Sequence, residues 1–220
     1  MFRQGLSRGK NGKGHYDHYY YNGPEITERL QMIDMMIKVR AKLHRLINGK
    51  EKKDMNFNNF TIKAQEAVQQ AAQMVTQNNQ QAIEPTHLLK AVMLTGESVT
   101  NFIFQKLGVN TRNLVQVLDR EIQSYPKVSG GEPYLSGDTN KVLQKAIDYS
   151  SKMGDQYVSL EPIILALFTE KSTTSQMLKD AGVTEKELRL AIEELRKGNK
   201  VTSQSAEDTY EALSKYAINL

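Results

Sequence analysis

Shifted by 75 residues, the chain aligns with itself: Gln69 meets Gln144, Ala71 meets Ala146, Ile83 meets Val158, Leu89 meets Ile164 and Ala91 meets Ala166. With one residue deleted, a shift of 74 continues the match through Gly108 and Gly182, Val109 and Val183, Leu114 and Leu188, and Leu118 and Ile192. An internal repeat constrains a fold more than any local motif, because each copy must bury its apolar face against the other. Two copies of about 70 residues are too few for a solenoid, and the pattern predicts two units packed as a pseudo-twofold pair.

Each unit reads as four short helices. In "FTIKAQEAVQQAAQMV", Thr61 takes the capping position, and Ala64, Ala67, Val68, Ala71 and Met74 or Val75 share one face. "EPTHLLKAVML" has Pro85 in its first turn, "SVTNFIFQKLG" runs from a Ser98 cap to a Gly108 stop, and "NTRNLVQVLDREIQ" turns Leu114, Val117, Leu118 and Ile122 inward. "SYPKVSGGEPYLSG", rich in Pro and Gly, is a linker. The expected fold is all-α, with repeat one over 57–124, a linker over 125–134 and repeat two over 135–198.

Charge separates the first 54 residues from the rest. Of 29 Lys and Arg and 25 Asp and Glu, residues 1–54 hold 12 and 6, a balance of +6; the remainder hold 17 and 19, a balance of −2. This basic leader opens with the Gly-rich, Tyr-rich "GKNGKGHYDHYYYNG", expected to be disordered over 1–23. An amphipathic helix is expected over 24–49, with Pro24 at its start, Ile26, Leu30, Ile33 and Ile37 on one face, and Gly49 at its stop. The aromatic tract beside lysines could stack on bases, but no recognition motif accompanies it, so nucleic acid is not the expected partner.

The sequence offers little catalytic chemistry. It has no cysteine, which removes thiolate catalysis, zinc ribbons and disulfides. His87 is the one histidine after residue 54, and it aligns with Pro162, so the second unit builds the same helix start without an imidazole. A fold role suffices for it, and no metal or catalytic residue is assigned. The nearest approach to a phosphate loop, "GLSRGKN", is one residue short and carries Asn11 where Ser or Thr would hold magnesium. No cofactor is expected. No apolar run approaches a membrane span, so a soluble, cytoplasmic protein is expected.

The stretches "FTIKAQEAVQQA", "IEPTHLLKAV", "GDQYVSLEPIILAL" and "LKDAGVTEKELRLAIEELRKG" together resemble the double Clp-N domain of ClpB-type AAA+ disaggregases. The tail, "SAEDTYEALSKYAINL", is similar to the segment that leads from that domain into the first ATPase module, and a linker helix is expected over 201–220. The resemblance implies a non-enzymatic module that binds unfolded or aggregated polypeptide, or an adaptor protein, and delivers it to an ATPase ring. It carries positions implicated in chaperone function onto Thr61, Asp155 and Glu161, and groove positions onto Tyr149 and Pro162.

Plainer roles exist for these residues. Thr61 is a good helix cap, and Glu161 follows Ser159 in a first helical turn, where a carboxylate complements the helix dipole. The first unit has Gln80 opposite Asp155 and Thr86 opposite Glu161, so the acidic pair belongs to one half alone. Both carboxylates are expected to be exposed beside a groove where the halves meet, with weak binding of extended chain there.

Overall fold

The structure, a computed structural model, describes residues 56–128 and 130–207. The leader helix expected over 24–49 and most of the linker helix expected over 201–220 lie outside the described residues.

Eight helices account for most of what is described. Repeat one contains α1 (Ile62–Gln77), α2 (Pro85–Thr95), α3 (Glu97–Lys106) and α4 (Thr111–Ser124). Repeat two contains α5 (Gly137–Met153), α6 (Leu160–Thr169), α7 (Thr173–Asp180) and α8 (Glu185–Arg196). The starts follow local chemistry: side chains of Thr61, Asn110, Ser136, Ser172 and Thr184 each accept a hydrogen bond from the third residue onward, at the starts of α1, α4, α5, α7 and α8. At α3 the cap is Gly96 rather than Ser98. A Cβ at Gly96 would come within 2.1 Å of the Leu160 side chain, so close packing holds that position.

The second helix of each repeat forms the centre. In α6 every residue from Leu160 to Phe168 is buried, and in α2 seven positions are, as expected for helices covered on all sides. The outer helices bury one stripe each. In α4 that stripe is Leu114, Leu118 and Ile122; Val117, expected inside, is 41% exposed. It sits one residue from Leu118, so the helical period turns it off the stripe.

Two short strand contacts show how the halves are related. Ala82–Ile83 (β1) pairs in parallel with Tyr134–Leu135 (β2), joining Ile83 to Leu135, and a lone bridge joins Phe60 to Val158. The 75-residue shift carries Phe60 onto Leu135 and Ile83 onto Val158, so each contact is the image of the other with the repeats exchanged. Hydrogen bonds repeat the exchange: Thr61 N–H donates to Val158 O at 3.0 Å, and Ser136 N–H to Ile83 O at 3.1 Å. Helix contacts obey it too, since α2 meets α6, and α3 meets α8 as α4 meets α7. The repeats are therefore a pseudo-twofold pair whose entry segments are swapped across the axis.

Candidate functional site

The helix starts of repeat two hold a buried polar centre. Gly154 ends α5 at φ +76°, a left-handed conformation suited to glycine, and aims the following Asp155 inward. Ser159 then caps the chain into α6, and Glu161 sits in its first turn. Arg196, the last residue of α8, reaches all three. Its Nη2 donates to Asp155 Oδ2 at 2.6 Å and to Ser159 Oγ at 3.2 Å, and its Nε donates to Glu161 Oε1 at 3.1 Å. Asp155 Oδ1 also accepts from Val201 N–H at 2.9 Å.

Both carboxylate side chains are 0% exposed, and Arg196's is 7% exposed. The expectation that Asp155 and Glu161 stand in solvent is therefore corrected: an arginine from another helix draws them inside, and a buried carboxylate needs such a partner. Burial alone would lower the guanidinium's pKa, but the charges and hydrogen bonds of Glu161 and Asp155 outweigh it and raise the value.

Thr61 lies at the other side of this centre, also 0% exposed. Its Oγ1 caps α1 by accepting from Ala64 N–H at 3.3 Å, and donates to Glu207 Oε1 at 2.7 Å. The same carboxyl oxygen accepts from Leu160 N–H at 3.2 Å. Burial, followed by the charge of Glu161, pushes the Glu207 carboxyl up to about 7, against the smaller opposing effect of the Thr61 hydrogen bond.

Tyr149 belongs to a different surface. It lines a cavity of about 620 Å³ within repeat two, walled by Met153, Leu165, Ile192 and Arg196. Its hydroxyl donates to Thr169 Oγ1 at 3.1 Å, and Lys145, Lys152 and Arg189 surround its ring at 5.9, 5.9 and 5.2 Å from the centroid. The lining carries Lys152, Arg189 and Lys200 against Glu193. Pro162 is buried in the first turn of α6 and is absent from this lining.

The structure thus brings Thr61, Asp155 and Glu161 into one interior cluster and connects it to the Tyr149 cavity through Arg196, whose two faces serve both. Ser159, Arg196 and Glu207 are the members that sequence reasoning missed. The 74-residue shift carried a signal for one of them, because it sets Arg196 opposite the core residue Ile122. A charge at a core position implies a buried counter-charge.

A second cavity, of about 470 Å³, does lie where the halves meet, between α4 and α7 beside Val117 and Met177. None of the five expected residues lines it. Among the described residues, no group of three or more His, Asp or Glu could hold a metal ion, and no helix is long and apolar enough to cross a membrane.

Residues 59–181 match the family model for the Clp repeat (R) N-terminal domain. The chain belongs to that family. Within it, this Clp repeat domain is 68% identical over 166 residues to the chaperone protein ClpB of Bacteroides thetaiotaomicron, and 58% identical over 166 residues to that of Porphyromonas gingivalis. Each alignment covers 76% of this chain and 19% of the relative, so the chain spans about a fifth of the length of these relatives. Its fold is also that of the Hsp104 N-terminal domain from Candida albicans, with a TM-score of 0.62 at 22% identity, covering 68% of this chain and 99% of that one.

Proposed function

We propose that this Clp repeat domain is the substrate-binding N-terminal domain of a ClpB-like disaggregase. In that role it holds segments of unfolded or aggregated polypeptide in the cytoplasm and hands them to an AAA+ ring that carries the ATPase chemistry. The single observation supporting this most strongly is the 68% identity to a ClpB chaperone over 166 residues, 76% of this chain.

The cavity at Tyr149 is the surface we assign to cargo. Its apolar floor of Met153, Leu165 and Ile192 suits a side chain of an extended polypeptide, and its basic lining suits a segment that also carries carboxylates. Asp155 and Glu161 contribute by fixing Arg196 in the wall, whereas Thr61 and Pro162 act from the interior. A cavity of this size covers little of a partner, so a dissociation constant on the order of micromolar or weaker is expected.

The test is a titration of a permanently unfolded, fluorescently labelled protein against the full chain and its Tyr149→Ala variant, with a thermal melt of each. Affinity should fall about tenfold, the loss of one well-packed aromatic anchor. Unchanged affinity for the variant would move the cargo surface elsewhere, first to the cavity between α4 and α7.

A further inference from the structure

Residues 201–207 form a strap across the two helix starts that enclose the polar centre. Val201 and Glu207 are 0% and 1% exposed at its ends. Gln156 N–H donates to Val201 O at 2.9 Å in repeat two, and Ile62 N–H donates to Gln204 O at 2.8 Å in repeat one. Gln204 Nε2 adds a bond to Asn58 O at 2.9 Å, and Glu207 closes the strap on Thr61 and Leu160.

Among the described residues, two buried side-chain oxygens have no hydrogen-bond partner: Glu161 Oε2 and Glu207 Oε2. Both belong to the same centre, since Glu207 Oε1 is bonded to the amide of Leu160, the chain neighbour of Glu161. Leaving a carboxylate oxygen buried and unpaired beside a second carboxylate is costly, and a proton on Glu207 removes the charge that makes it so. We propose that Glu207 is a proton-dependent latch, whose neutral, protonated carboxyl beside the charged Glu161 holds strap 201–207 on the double repeat.

The chemistry around Glu207 is consistent with this device. Thr61 Oγ–H and Leu160 N–H occupy Oε1 as donors, which leaves Oε2 for the proton. The charged groups facing the centre are Glu161 and Asp155, both held by Arg196, so one guanidinium already serves two carboxylates and a third negative charge has no partner. The raised pKa of Glu207, about 7 against the ordinary 4.5, sets the window: the latch is tightest below about pH 4.5 and weakens as pH rises toward 7. Thr61, Asp155 and Glu161 act here as positioning residues for the strap, independently of any contact with cargo.

Amide hydrogen exchange on the full chain, read by NMR at Ile62, Gln156 and Leu160 with Ala91 of α2 as the core reference, tests the latch. Glu207→Ala should lower protection at the three strap-linked amides by about tenfold or more, with Ala91 unchanged. Glu207→Gln, whose amide keeps the site neutral at every pH, should keep protection within about threefold and lose the dependence on pH that the wild type shows between about pH 4.5 and 7. Protection retained in Glu207→Ala would overturn the latch, and so would a Glu207→Gln variant as open as the alanine. If Glu207→Ala exposed Ala91 as well, the comparison of wild type with Glu207→Gln across pH would decide: matching pH profiles refute the proton on Glu207, and a flat profile in the glutamine variant alone supports it.

Discussion

The two repeats tie the start of their second helix to the end of their fourth at equivalent positions, but with different chemistry. In repeat one the tie is neutral: Glu84 N–H donates to His87 Nδ1 at 3.1 Å, His87 Nε2 meets Gln80 Oε1 at 2.9 Å, and Gln80 Nε2 donates to Ile122 O at 2.6 Å. The Glu84 amide fixes Nδ1 as acceptor and so places the imidazole proton on Nε2. In repeat two, the shift turns Gln80 into Asp155, His87 into Pro162 and Ile122 into Arg196, and the tie becomes an ion cluster. The geometry of the repeat demands a polar bridge here and leaves its type open. The charged version also connects to the Tyr149 cavity and to strap 201–207, whereas the neutral version reaches the linker, where Gln80 Nε2 also donates to Tyr125 O at 3.4 Å.

The largest effect should come from breaking the charged tie. Arg196→Ala leaves two carboxylates buried without their cation, and loss of one partner from a buried ion cluster costs about 3 to 5 kcal/mol. Urea unfolding of the full chain measures this, and a loss under about 1 kcal/mol would mean that the carboxylates find water when the arginine is removed. Gln80→Ala breaks the neutral tie and should cost less, about 1 to 3 kcal/mol, because it leaves only the neutral His87 ring N–H unpaired while Ile122 O keeps the Tyr125 N–H at 3.3 Å. If the order of these two variants were reversed, the contrast between the ties would fail.

How much of this was legible beforehand follows from where each signal resides. Local chemistry announced itself: Thr61 as a cap, Pro85 in a first turn, and apolar faces at helical spacing placed the helices of both units, and the self-alignment carried the pseudo-twofold pair. The swapped contacts at Phe60, Ile83, Leu135 and Val158 were hidden, since one or two residues show no strand period. Asp155 and Glu161 were noticed but placed outside, because a carboxylate in isolation reads as solvated. The 74-residue shift sets Arg196 opposite the core residue Ile122, but only the approach of α8 in three dimensions brings it to these two carboxylates. Glu207 carried no signal of its own, since its burial depends on a strap that spans both repeats.

The two halves should also answer acid and base in opposite directions. Burial, helped by the nearby Lys90 charge, lowers the His87 pKa from 6.5 to about 4. Between those values the unfolded chain binds a proton that the native imidazole refuses, so the stability that His87 contributes is lost as pH falls through the window. Glu207 behaves inversely: its value rises from 4.5 to about 7, so the native state holds the extra proton, and stability is lost as pH rises from about 4.5 to 7. Each slope is at most about 1.4 kcal/mol per pH unit. Differences between wild type and His87→Gln, and between wild type and Glu207→Gln, measured by urea unfolding from pH 4 to 8, should therefore slope with opposite signs. Parallel slopes would show that the histidine and the glutamate do not titrate in the states assigned to them.

The smallest effect is expected at the seams that the pseudo-twofold axis exchanges. Where α3 meets α8, Lys106 Nζ lies 2.7 Å from Glu194 Oε1, with both side chains about half exposed. Where α4 meets α7, the equivalent space is the cavity beside Val117. An exposed ion pair gains little over its hydrated ions, so Lys106→Ala should cost less than about 1 kcal/mol and lose even that in high salt. Val117→Ala should be similarly mild, whereas Leu118→Ala, one residue further into the core, should cost about 2 to 5 kcal/mol. The two seams would then be shown to contribute through burial beneath them rather than through the groups on their surface. A cost for Lys106→Ala as large as that for Leu118→Ala would instead make the ion pair a true clamp between the repeats, and the α3–α8 seam would be the rigid one of the two.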